Sequence, residues 1–140
     1  MQTAIQNSPS SFSAAGIIWL KLAVIYLIIG VGLGIMMGAS ENFTLRPVHA
    51  HINLLGWATM AVAGLVYSVF PQAGASRLSK LHFWLHNISL PVMAVALTLV
   101  VLGKHTVVPV LAASEIGATL GILVFAANIF LNLKKQVSEM

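Results

Sequence analysis

Residues 46–71 read RPVHAHINLLGWATMAVAGLVYSVFP. After Arg46 and Pro47 the stretch has no Asp, Glu, Lys or Arg. It is long enough for the ~20 residues that cross a bilayer. Pro47 suits the first turn of a helix, where its missing N–H costs nothing. The ionisable residues that remain are His49 and His51, at the mouth of the segment. Ionisable side chains are costly in a membrane helix and normally mark function. Side chains at i and i+2 point about 200° apart around a helix. One helix therefore cannot turn both imidazoles on one metal ion, but it can offer one ligand to each of two sites. That geometry suits a haem protein in which each helix sits between two haems. The plain alternative is a pair of interfacial histidines bonded to loops, and His-x-His alone does not separate the two.

The rest of the chain extends the membrane reading. Of 140 residues, 59% are hydrophobic and 7% charged, against roughly a quarter charged in soluble domains. No cysteine is present, which excludes disulfides, thiolate metal sites and haem attached through Cys-x-x-Cys-His. The net charge of +4 is scattered, so it reads as a topology signal and not as a nucleic-acid surface. The polar segment 1–14 has no charged n-region or clear cleavage site and does not read as a signal peptide. Four spans are expected within a domain over 15–135, near 17–38, 48–70, 80–102 and 107–133, with a tail over 136–140. Lys21 can snorkel to the interface, Pro71, Gly74 and Ser76 form a turn, Pro91 reads as a kink, and Lys134 and Lys135 stop the last span. The runs lack the alternation of barrel strands, so the spans are helices.

Lys21, Arg77, Lys80, Lys134 and Lys135 fall on one side of that arrangement, and Arg46 and Lys104 on the other. The positive-inside rule then puts both termini in the cytoplasm of a bacterial-type inner membrane, with His49 and His51 near the outer surface.

Ala50, Asn53, Gly56 and Gly64 keep the second span thin, as a flat macrocycle or close helix packing would need. Trp57 and Met60 would supply aromatic and soft walls. At these residues the chain resembles the catalytic subunit of haem–copper oxidases. There a His-x-His helix continues into a Gly- and Ala-rich run ending in an aromatic–Pro pair, and the next helix opens on a Lys-x-His-Phe-like stretch. The matching pieces are VHAH at 48–51, GWATMAVAGLVYSVFP at 56–71 and KLHFWLHNISLP at 80–91. The first and last spans match only as membrane helices.

The resemblance implies that His49 and His51 are each an axial haem ligand, the first for the high-spin and the second for the low-spin haem of the family. The family's subunit has twelve helices in three four-helix arcs about a pseudo-threefold axis, and this chain is one arc. A homotrimer would rebuild the ring, with b-type haem, one per protomer, bound between chains. Closed cyclic symmetry gives equivalent sites. Basic residues hold haem propionates on the outer side in that family, a role that would fall to Arg46 and to Lys104, near His105. Ordinary loop charges are the alternative, above all for Lys104. The chain departs from the family in having no His-His pair for copper, and Tyr26 and Tyr67 stand in no His-x-x-x-Tyr context. The resemblance thus implies no oxygen reduction by this chain alone.

Further constellations remain to be weighed. His82 and His86 share a helix face at a spacing that zinc or copper can use. Two ligands do not complete a site, so the expectation is His82 at the inner interface and His86 hydrogen-bonded within the bundle near Asn87. Counting rise along two antiparallel helices puts His86 about 20 Å in depth from His49. Glu115 is expected to be buried in the last span, as a proton relay, as acceptor for a ligating imidazole N–H, or as a protonated carboxyl bonded to backbone. Asn128 reads as structural glue.

The functional expectation is electron transfer by a bis-histidine haem, with a redox partner or quinol and membrane lipid as its surroundings. A nitric oxide or oxygen sensor or reductase with one labile ligand is a second reading. A cofactor-free accessory or assembly subunit of a respiratory oxidase is a third.

Overall fold

A computed structural model describes residues 13–133. The expectations for segment 1–12, for Lys134 and Lys135 and for the tail lie outside the described residues. The chain folds as α1 (Ala14–Ser40), α2 (Arg46–Val69), the short α3 (Pro71–Ala75), α4 (Arg77–Val101) and α5 (His105–Asn132). All but α3 are long and apolar enough to cross a membrane. The observed ends fall within three residues of those expected for every span.

Local chemistry sets the ends. The Ser13 hydroxyl accepts from Gly16 N–H at 3.0 Å and caps α1. Pro47 lies in the first turn of α2. The expected turn at 71–76 is instead one helical turn, α3, opened by Pro71. Ser76 then caps α4 through Ser79 N–H, also at 3.0 Å. Gly103 ends the α4 side of the next turn at φ +88°, a left-handed conformation that glycine adopts without steric cost. α4 continues through Pro91 without a break, and α5 opens with a tight turn over His105–Val107.

Small residues bring the helices together in antiparallel pairs. Along α1 and α2, Gly16 meets Gly64 and Ser68, Tyr26 covers Gly56, and Gly30 faces Asn53. A Cβ built at Gly56 would come within 2.6 Å of the Tyr26 ring. Gly56 and Gly64 are thus filled by α1 of the same chain; their thinness serves helix pairing and leaves no macrocycle cradle there. Along α4 and α5, Gly121 lies against the backbone of His86.

The two pairs meet in a core of Trp19, Ala23, Met60, Ala63, Tyr67, Leu90 and Met93. Met60 is fully enclosed in it, so it cannot wall a pocket between chains. Val48, Ile52 and Leu97 form a smaller cluster near the 41–45 turn.

The middle of α2 is not regular. Residues Ile52–Thr59 form a π-helix between α-helical turns. Such widened turns are rare and often sit at functional sites. The Thr59 hydroxyl reaches back to Leu54 O at 2.8 Å within it.

Candidate functional site

His49 lies on the flank of α2 that faces α1. Its Nδ1 is 3.0 Å from the carbonyl of Gly30. A carbonyl only accepts, so Nδ1 carries the proton and neutral His49 has a bare Nε2. The Asn53 amide donates to His49 O at 2.8 Å, and its nitrogen lies 3.3 Å from the imidazole. Gly34 passes His49 closely enough that a Cβ would sit 3.1 Å from Cε1. The Gly30 carbonyl and the close approach of Gly34 thus fix this ring. Asn53, expected to line a cofactor, bonds the backbone of His49 and packs against Gly30 of α1.

His51 points elsewhere. Its Nδ1 is 2.8 Å from Pro47 O, one turn back on its own helix, so its Nε2 is also bare when neutral. It opens into a surface concavity lined by Leu55, Met93, Glu115, Ala118, Thr119 and Ile122. The two imidazoles therefore occupy different flanks of α2, one toward α1 and one toward α4 and α5. No hydrogen bond among the described residues uses Nε2 of either ring.

Glu115 departs from expectation. It is exposed on the outer face of α5, not buried, and it shares the His51 concavity. Its α5 position turns it away from the intrachain core, which takes Ser114 and Ala118 on the neighbouring face. Arg46 is exposed and lies over the Phe43 ring at 5.4 Å. Lys104 and His105 are exposed at the turn between α4 and α5. That turn and the one carrying Arg46 belong to the same end of the bundle. Trp57 is half-buried against the edge of the core.

His82 lies in the core and not at the inner interface expected of it, whereas His86 is hydrogen-bonded within the bundle as expected. Both are wholly buried. His86 Nε2 lies 3.0 Å from Leu55 O, not near an Asn87 partner; the Asn87 amide bonds Phe83 O. Leu55 is six residues beyond His49, so the two histidines differ in depth by about 9 Å and not 20 Å. The longer figure assumed that helix ends align across the bundle, whereas α4 starts three residues earlier than expected and α3 resets its register. His82 Nδ1 is 2.9 Å from the Tyr67 hydroxyl. Its ring is stacked between Trp19 at 4.4 Å and Phe125 at 4.9 Å.

Asn128 behaves as expected. Fully buried, it donates to Tyr67 Oη and Ala73 O and accepts from Ser76 and Asn132. It ties α5 to α2, α3 and the start of α4.

Among the described residues no group of three or more His, Cys, Asp or Glu comes together. Compared with family models, with curated proteins and with solved structures, the chain matches none.

Proposed function

We propose that this chain is a membrane haem protein in which His49 of one protomer and His51 of the next would together hold a b-type haem. One observation carries the reading. Both imidazoles have Nδ1 held by a backbone carbonyl, Gly30 O and Pro47 O, and Nε2 left over. Ligating histidines typically hold the second ring nitrogen on a carbonyl or carboxylate, which fixes tautomer and orientation. The rings lie on different flanks of one helix, so each serves a different iron. Three chains closing a ring would complete every site with one ligand from each side.

Glu115 supports the assembly. An ionisable side chain on the outer face of a membrane bundle is costly against lipid and normally faces protein. A neighbouring protomer over the His51 concavity removes it from lipid. Arg46 and Lys104, at the end of the bundle nearest the histidines, are the residues to pair with propionates. Both termini lie in the cytoplasm of a bacterial-type inner membrane in this reading.

Bound there, a haem would supply a one-electron couple suited to electron transfer with a redox partner or quinol. What the chain contributes is orientation of each imidazole and an apolar wall that excludes water. The visible spectrum of purified protein tests this. A six-coordinate low-spin spectrum unmoved by carbon monoxide supports it, and a protein with no Soret band refutes it.

A second reading has its own observation. The anchor of His51 is local and exposed, whereas that of His49 crosses between helices. His51 would therefore be the more readily displaced of the two, and the protein could then bind nitric oxide or oxygen at that site. A spectrum that shifts with either gas favours this reading over simple electron transfer.

A further inference from the structure

The core holds two nitrogens that the proposed haem site does not use. His82 Nε2 and His86 Nδ1 are buried and have no hydrogen-bond partner among the described residues. Their rings are 5.5 Å apart, centroid to centroid, and nearly perpendicular. Each ring is held from its other nitrogen, His82 by Tyr67 Oη and His86 by Leu55 O. Leu55 O can only accept, so the orphaned Nδ1 of neutral His86 is a bare lone pair. The His82 tautomer with its proton on Nδ1, toward the Tyr67 oxygen, likewise leaves Nε2 bare. An unmatched buried polar group is destabilising, and native proteins carry few of them.

We propose that His82 Nε2 and His86 Nδ1, with the thioether of Met60, form a buried site for one monovalent soft cation, copper(I). The anchored outer nitrogens are the arrangement that ligating imidazoles require. The spacing fits as well. With metal–nitrogen bonds of about 2 Å, an ion about 3 Å from each ring centroid sees the rings about 120–130° apart. That angle leaves room for a third donor. Met60 is five residues beyond Leu55 on α2, and His82 is four before His86 on the antiparallel α4. Met60 therefore stands at the depth of His82, enclosed in the same core.

Chemistry selects the ion. Imidazole with thioether is a soft donor set that suits copper(I). The acidic side chains among the described residues, Glu41 and Glu115, are both exposed, so nothing anionic is in the core to offset a second charge. A water between the rings would find two partners where buried waters typically make about three. Trp19, stacked on His82, separates the site from a surface groove that it lines with Ala15, Ser79 and Phe83.

The test is independent of haem. Purified full-length protein is titrated anaerobically with copper(I) against a chromogenic copper(I) chelator. The expected result is one ion per chain, retained in His49→Ala and His51→Ala, with nitrogen and sulfur scatterers in the X-ray absorption spectrum. His86→Gln keeps an amide N–H for Leu55 O but removes the Nδ1 lone pair. It should weaken binding by at least about 100-fold while leaving helicity and elution volume unchanged. Tyr67→Phe, which frees His82, should weaken it about 10-fold. Met60→Leu should abolish the sulfur scatterer. The proposal is overturned if the chelator keeps all the copper, if His86→Gln binds like the parent, or if zinc(II) binds as tightly as copper(I).

Discussion

An imidazole with one nitrogen on a backbone carbonyl has its other nitrogen aimed by the fold, and this chain aims two in different directions. His49→Ala and His51→Ala should each remove most bound haem while the protein still inserts, because in a symmetric ring each residue serves every site. Full occupancy with an unchanged low-spin spectrum in either variant would defeat the bridging arrangement. Glu115→Gln should change potential more than occupancy. A negative charge in the His51 concavity stabilises ferric iron. Removing one at about 10 Å in a medium of moderate dielectric is worth about 1–2 kcal/mol, a rise on the order of 50 mV in midpoint potential. Redox titration of the variant checks it; a midpoint identical to the parent's at every pH leaves Glu115 a structural residue. The histidine pair was legible in the sequence because i, i+2 geometry depends on one helix alone. The surroundings of His82 and His86 were not legible, since they depend on which residue of α2 stands opposite which residue of α4. The exposure of Glu115 was missed for a similar reason. Its span reads as apolar all round, and no periodicity says which face the core takes.

The elements were the most legible part. Spans follow from runs of apolar residues, and their ends follow from Ser13, Pro47, Ser76 and Gly103, whose local chemistry needs no tertiary context. The π-helix over Ile52–Thr59 left no such mark, because it reflects how α2 fits its neighbours and not a preference of its residues. Helix pairing makes a sharp comparison between glycines. Gly56→Val puts carbon against the Tyr26 ring, at the seam of α1 and α2. It should cost about 1–3 kcal/mol in detergent unfolding, as overpacking does. Gly32→Ala meets nothing within 4 Å on the outer face of α1. It should be neutral or stabilise by up to ~1 kcal/mol through helix propensity. Equal effects of the two would mean that close approach at Gly56 does not hold the pair together. Asn128→Leu strips partners from Tyr67, Ser76, Ala73 O and Asn132 at once. A loss of about 1–3 kcal/mol is expected, modest because unfolded segments in a membrane also find partners. A variant as stable as the parent would deny Asn128 its part in tying the helices together.

At the scale of the whole molecule, a single bundle presents half of each proposed haem site on either flank of α2. Ligands on different flanks of one helix cannot reach one iron, so the two must come from two chains. The protein should then be a trimer with about one haem per protomer when loaded. It should dissociate more easily when haem is absent, since a ligand that bridges chains stabilises the assembly by mass action. Mixing separates this from any site built within one chain. His49→Ala chains keep His51, and His51→Ala chains keep His49. A contact that brings the retained His49 of one chain to the retained His51 of the other restores an intact pair. Co-assembly should therefore recover part of the haem binding that neither variant shows alone, with the parental low-spin spectrum. The recovered fraction should follow the statistics of mixed contacts in a closed ring. Absorbance and analytical ultracentrifugation of the mixture measure both terms. A monomer that binds haem with the parental spectrum, or a mixture that recovers none, would overturn the shared site.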